Sequence, residues 1–249
     1  MSSLFSPNPA TVALLAPTGR LRASINLGNP ILANTDPATG RARGVSVDLA
    51  QALAARLGVA LETVEFPAAA KSVDAITGGV ADVGFFAVDP LRGAEVAFTD
   101  PYILIEGAYL VRDDSLRRAN EDVDRAGTTV AVGQGSAYDL FLTRELKHAT
   151  FVRVPGAPAV LEALLEGRVD VAGGIRQVLV ETAACVPGVR VLPGRFMVIR
   201  QAMGLARSRG PQAEAALRAF VEEMKASGFV AEAMRRHGVA GATVAPAVA

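Results

Sequence analysis

The feature that most constrains this chain is the run Val83–Val88 (Val-Gly-Phe-Phe-Ala-Val), set between Asp82 and Asp89-Pro90. A short apolar run without polar alternation has the character of a strand covered on both faces, and Asp89-Pro90 ends it because proline cannot donate to a sheet ladder. Arg92 then follows a strand's carboxyl end. In open α/β sheets that edge is where ligands bind, and the planar fork of Arg suits a carboxylate. Arg92 is therefore the first candidate contact, with an ordinary solvated loop arginine as the alternative.

The same grammar recurs along the chain. Leu21–Asn26 reads as a strand that breaks at Gly28-Asn29-Pro30, making Asn26 and Asn29 candidate contacts. Val47–Leu57 carries Leu49, Ala50, Leu53, Ala54 and Leu57 at helical spacing, with Gly58 just past its end, and Leu61–Phe66 reads as the next strand. That βαβ order predicts a parallel sheet with a right-handed crossover. A short helix over Pro67–Thr77 holds Lys71 in its first turn, either facing a ligand or simply solvated. The unit at Thr77–Gly84, a helix end, glycine, Asp and strand, returns at Glu166–Ala172. Two copies predict two similar lobes.

In the second half, Thr128–Val132 reads as a strand leading through Gly133-Gln134-Gly135-Ser136-Ala137-Tyr138 into a helix. Unpaired amides and the positive helix end would make an anion site at Ser136 and Ala137, beside Tyr138; a plain N-cap serine is the alternative. The second copy of the repeat ends at Ile175-Arg176-Gln177, which places Arg176 and Gln177 to face Arg92 across a cleft. Surface positions on a helix are the alternative for that pair. Ile103–Arg112, Val189–Leu192 and Phe196–Arg200 read as strands, and helices are expected over Pro211–Lys225 and from Gly228 to His237. The tail Val239–Ala249 is expected to be poorly ordered.

Several of these residues carry a resemblance. Asp82 followed by a strand, Arg92 and then Phe98-Thr99-Asp100-Pro101-Tyr102, together with Gly44-Val45-Ser46-Val47-Asp48-Leu49-Ala50-Gln51-Ala52-Leu53-Ala54, resembles the family 3 extracellular solute-binding proteins of ABC transporters. The likeness runs from about Leu21 to Gly238. It implies an α/β, two-lobed type II periplasmic-binding-protein fold with two crossover segments and an interlobe cleft. Lobe one would be residues 1–104 plus 201–249, and lobe two residues 105–200. Such lobes close over a small ligand by hinge motion, and an ABC transporter permease would be the partner. The resemblance also implies that the turn at Gly135 and Ser136 holds a ligand carboxylate.

Composition narrows the classes further. Twenty-five basic residues balance 25 acidic ones, so no net field favours nucleic acid or an anionic membrane, and a monomer is expected. Cys185 is the single cysteine, read as a packed helix residue, and His148 and His237 are far apart, so neither a disulfide nor a metal site is expected. No cofactor is implied. The amino terminus lacks a positive n-region and Val12–Ala16 is too short for a leader's apolar core, which reads as cytoplasmic, or periplasmic if a leader has been removed.

The ligand class turns on two departures from the family pattern. Where amino-acid binders carry Ser and Thr before the arginine, this chain has Phe85, Phe86, Ala87 and Asp89. Where they carry an acid for the α-ammonium, it has Ile175. An unpaired buried ammonium is costly. Either Asp89 or Glu106 takes that role, or the ligand is a small organic anion that Phe85 or Phe86 walls. A cytosolic ligand sensor and a cyclohexadienyl-dehydratase-like enzyme on the same fold are the other open classes; the enzyme would need a general acid near Ile175–Gln177.

Overall fold

The computed structural model describes Phe5 and residues 7–248. The chain divides into two compact units: unit 1 is Met1–Leu104 with Arg200–Ala249, and unit 2 is Ile105–Ile199.

Unit 1 begins with α1 (Pro9–Leu15), where the Asn8 side chain accepts the Thr11 amide and Pro9 fills the first helical position. β1 (Arg20–Asn26) is followed by a small hairpin, β2 (Asn34–Thr35) and β3 (Ala42–Arg43). Helix α2 (Val45–Leu57) buries the apolar stripe read from its spacing and is closed by Gly58 in the left-handed region, φ 69°. β4 (Ala60–Phe66) and, after α3 (Ala69–Thr77), β5 (Val83–Ala87) flank β1 in parallel. The outer strand β4 is largely exposed or half-buried, whereas all of β5 is buried. That contrast is why β5 is uniformly apolar.

β6 (Val96–Arg112) is a single 17-residue strand that starts in unit 1 and ends in unit 2. Unit 2 continues with β7 (Thr129–Gly133), α4 (Ala137–Glu145), β8 (Thr150–Val154), α5 (Ala157–Leu165), β9 (Val171–Ile175), α6 (Arg176–Cys185) and β10 (Val189–Val191). β7 lies parallel to both β8 and β9, while β9 and β10 run antiparallel to β6. Leu110, Ala131, Val160, Leu164 and Ala172 form the core between sheet and helices. β11 (Met197–Ala206) returns the chain to unit 1 antiparallel to β5, and α7 (Pro211–Ala226), α8 (Phe229–Arg236) and β12 (Ala242–Val244) complete it. The strand order is β4-β1-β5-β11 on the side of unit 1 and β6-β9-β7-β8 on the side of unit 2, and β6 and β11 each have residues in both units.

The repeated segment has the same hydrogen bonds in both copies. After α3, the amides of Val80 and Ala81 donate to the Ala75 carbonyl; after α5, those of Arg168 and Val169 donate to Ala163. Gly79 and Gly167 take positive φ, 71° and 73°, at equivalent places. The Asp that follows locks the next strand to its parallel neighbour. Asp82 donates its amide to the Arg22 carbonyl and accepts the Arg22 amide at 3.0 Å, while Asp170 does the same with Thr129, accepting at 2.9 Å. The duplicated Asp is thus a register device rather than a ligand contact.

Two expectations are corrected outside the site. Cys185 is exposed at the end of α6, not packed, because the helix stops there. The tail is ordered through residue 248: β12 pairs with β6, the Ala245 amide donates to the Tyr102 carbonyl, and the buried Lys225 Nζ donates to the carbonyls of Pro101 (3.2 Å) and Pro246 (3.0 Å). Lys225→Ala would orphan those carbonyls at a cost of about 1–3 kcal/mol. The expected result is faster hydrogen exchange at the amides of residues 242–248; unchanged protection there would show that Lys225 does not hold the tail.

Candidate functional site

In unit 1 the carboxyl ends of the parallel strands β1, β4 and β5 share one edge, and the candidates collect there. Asn26 closes β1 with its Oδ1 accepting the Gly28 amide at 2.9 Å. The Asn29 carbonyl accepts the amides of Leu32 and Ala33, while its Oδ1 is buried without a hydrogen-bond partner among the described residues. Lys71 is exposed in the first turn of α3.

Beyond β5 the chain makes a tight loop around Asp89 and Arg92. Asp89 is buried, and its Oδ1 accepts the Leu91 amide at 2.9 Å while its carbonyl accepts the Gly93 amide. Arg92 opens a single 3-10 turn, is 8% exposed, and donates from Nη1 to the Ala87 carbonyl at 3.2 Å. Burial lowers the guanidinium's pKa from its ordinary value, and the Asp89 charge beside it opposes that. Arg92 is a buried, preorganised cation, not a solvated one.

Phe85 and Phe86 do not wall a ligand. They point to opposite faces of β5, as consecutive strand residues must, and both faces are covered. Phe86 packs with Ala75, Ile76, Ala81 and Val96 and lies over the register pair Gly84 and Gly204, where a Cβ would come within 2.3 and 3.2 Å of its ring. Phe85 meets Tyr102 edge-on at 6.3 Å, and both are buried.

In unit 2 the carboxyl ends of β7 and β9 lie side by side. Ser136 is the N-cap of α4, its Oγ accepting the Asp139 amide at 3.2 Å. Asp139 in return accepts the Gly135 amide at 2.9 Å, and Arg153 Nε donates to it at 2.8 Å. Part of the amide cradle read as an anion site is therefore held by the chain's own carboxylate, and helix geometry leaves the amides of Ala137 and Tyr138 at that end. The N-cap serine was legible in the sequence, whereas the return bond from the Gly135 amide to Asp139 was not.

After β9, Arg176 Nη1 donates to the Gly194 carbonyl and its Nε lies 3.6 Å from Glu106. Arg195 Nη1 donates to the same carboxylate at 2.6 Å. Gln177 donates to Glu181 one turn along α6 at 2.8 Å, so its amide is engaged on the helix surface instead of reaching out. Arg195 carried no sequence signal, since it sits in a Pro-Gly-Arg turn. Tyr138 is buried with Phe196 edge-on at 5.8 Å; its Oη has no partner among the described residues, and burial raises its pKa.

A separate open concavity of about 680 Å³ lies outside β4 between α2 and the hairpin, lined by Arg41, Gln51, Glu62 and Glu65 among others, and contains none of these candidates. Among the described residues no His, Cys, Asp and Glu cluster of three could hold a metal, and no helix is long and apolar enough to cross a membrane.

A family model, that of the bacterial extracellular solute-binding proteins, family 3, matches residues 29–240. The chain belongs to that family. Solved structures share its type II periplasmic-binding-protein fold. One is a mutant of ArgBP from T. maritima, 23% identical, covering 92% of this chain and 99% of its own, with TM-score 0.77. The ancestral amino acid-binding protein AncCDT-1, a precursor of cyclohexadienyl dehydratase, is 22% identical over 91% of this chain and 98% of its own, TM-score 0.75. A putative ABC-transporter binding component from Wolinella succinogenes complexed with lysine is 20% identical over 88% and 95%, TM-score 0.75. Among curated proteins no match is found.

Proposed function

We propose that this solute-binding protein captures a small carboxylate-bearing molecule without an α-ammonium group, delivering it to an ABC-type permease as a monomer working outside the cytoplasmic membrane. Arg92 supplies the main contact to the carboxylate from unit 1, and the amides of Ala137 and Tyr138 are the anion contact that unit 2 offers.

The observation that carries this reading is the state of the acids. Asp89 accepts the Leu91 amide and lies against Arg92, Glu106 is taken by Arg195 and Arg176, and Ile175 stands where amino-acid binders of the family place an acid. An ammonium would have to compete with guanidiniums for either carboxylate. The reading is of binding rather than catalysis, because the carboxylate near Ile175–Gln177, that of Glu106, is engaged by Arg176 and Arg195 instead of being offered to a leaving hydroxyl.

A thermal-shift panel tests it. A ligand that binds only the folded state stabilises it by RT ln(1 + [L]/Kd), so melting shifts at equal concentration rank affinity. Small carboxylic acids are expected to shift the melt more than their α-amino analogues. The second reading is a standard amino acid, favoured by the lysine and arginine complexes among the structural relatives. A largest shift from an amino acid, abolished in Asp89→Asn or Glu106→Gln, would establish that reading and name the carboxylate.

A further inference from the structure

We infer that Gln201 is a further contact for the solute, and that the solute carries an oxygen on the carbon next to its carboxylate, as a 2-hydroxy or 2-oxo acid does; this rests on the carboxylate reading above. Gln201 lies on β11 within unit 1, in register opposite Ala87 at the end of β5. The Ala87 carbonyl is the one that accepts Arg92 Nη1 at 3.2 Å. Facing residues of an antiparallel pair stand about 5 Å apart, so Gln201 is within the span of a small molecule held by Arg92. Both side chains are buried without being sealed, the residues being 5% and 8% exposed.

Strand geometry fixes the face. Opposed residues of an antiparallel ladder share a side of the sheet, as do alternate residues along one strand, so Gln201, Ala87 and Phe85 point the same way. On that side Phe85 meets Tyr102 edge-on. Helix α2 ends at Leu57 just before β4 begins at Ala60, which puts its first turn, holding Ser46, at the opposite edge of the sheet, the carboxyl edge that Arg92 shares.

An independent observation points to the same place. Tyr102 is fully buried, yet its Oη has no partner at hydrogen-bond distance among the described residues. Burial raises its pKa, and the Ser46 and Gln201 side chains are near enough to temper that rise. Three buried neutral polar groups are thus gathered behind Arg92, one of them unpaired, and such a group in a folded protein calls for a reason. Tyr102 is the positioning residue, and the Gln201 amide, which both donates and accepts, is the contact. A neutral amide selects against both neighbours of an oxygen at that carbon. An ammonium would be buried there without an anion of its own, since Asp89 lies against Arg92, and a plain methylene would leave the amide unpaired.

The test is calorimetry on the full chain with lactate, pyruvate, propanoate and alanine, and with the corresponding five-carbon set. In at least one set the 2-hydroxy or the 2-oxo acid is expected to bind about tenfold or more tighter than the plain acid, a hydroxyl or an oxo group being told apart by which of the two binds better. Gln201→Met, which keeps the volume and removes the amide, should cut that preference at least about fivefold while leaving the plain acid's affinity unchanged, a split that a merely structural Gln201 would not give. Gln201→Glu, should the methionine variant fail to fold, is expected to weaken the oxygenated acid and bring the amino acid level with it. Plain acids binding as tightly as oxygenated ones, or a preference that survives in the variant that folds, would overturn the role of Gln201 and leave the carboxylate reading standing. Failure of every acid to bind, or tightest binding by the amino acid in the parent, would overturn both.

Discussion

Asp82→Ala is expected to lower the unfolding free energy by about 3–5 kcal/mol, the largest effect foreseen for any single substitution here, because it breaks one partner out of a buried ionic group. The Asp82 side chain is fully buried. It accepts the Arg22 amide at 3.0 Å, Arg22 Nε at 3.1 Å and Nη2 at 2.8 Å, and Arg209 Nη2 at 2.6 Å. Removing the carboxylate leaves two guanidiniums, each only one-fifth exposed, without their shared anion. Urea unfolding of the variant measures the loss, and a midpoint equal to the parent's would refute it. Asp170→Ala, at a carboxylate about one-third exposed in the equivalent position of unit 2, should cost less, about 1–2 kcal/mol.

The same carboxylates set an acid limit. Burial pushes the Asp82 carboxyl up, but the bonds from Arg22 and Arg209 outweigh it and hold it below the ordinary value; Asp170 is likewise held low, its burial outweighed by Thr129 and Arg117. Their folded pKa values lie below the unfolded one of about 3.9, so their stabilisation is complete above that pH and is lost as pH falls through the lower folded values. The parent should therefore lose stability below about pH 4 more steeply than Asp82→Asn, which has no carboxyl to protonate there.

Arg92→Ala is expected to weaken ligand binding by about 1.5–3 kcal/mol, ten- to a hundredfold, through loss of a buried cation on the edge of unit 1. Its burial changes one part of the expectation drawn from sequence. A solvated arginine would leave the fold indifferent, but Arg92 lies against buried Asp89 and bonds the Ala87 carbonyl, so truncation should also cost about 1–3 kcal/mol of stability. Calorimetry must then be run below the lowered melting temperature. Arg92→Lys separates the effects: it keeps a charge beside Asp89 but loses the planar fork, so stability should recover more than affinity. Equal affinity in Arg92→Ala and the parent would remove Arg92 from the site.

What the sequence determined by itself is what short-range chemistry can write. The apolar run at Val83–Val88 made β5 because a strand covered on both faces admits no polar alternation, and the 3.6-residue stripe of α2 ended at Gly58 because only glycine enters the left-handed region cheaply. The paired Gly and Asp at Gly79 and Asp82, and at Gly167 and Asp170, exposed the duplication. A helix holding Cys185 was legible but its start at Arg176 was not, because α6 begins directly after β9, with no cap and with Val178 and Val180 in its first turns. Only the tertiary structure decided which side chains are available. Whether Phe86 walls a ligand or fills the niche above Gly84 and Gly204 depends on strands 120 residues apart in the chain, and whether Glu106 meets an ammonium depends on Arg195, 89 residues away. A charged or aromatic side chain announces what it can do within a few residues of itself, but what it does is set by partners that only the fold brings within 3 or 4 Å.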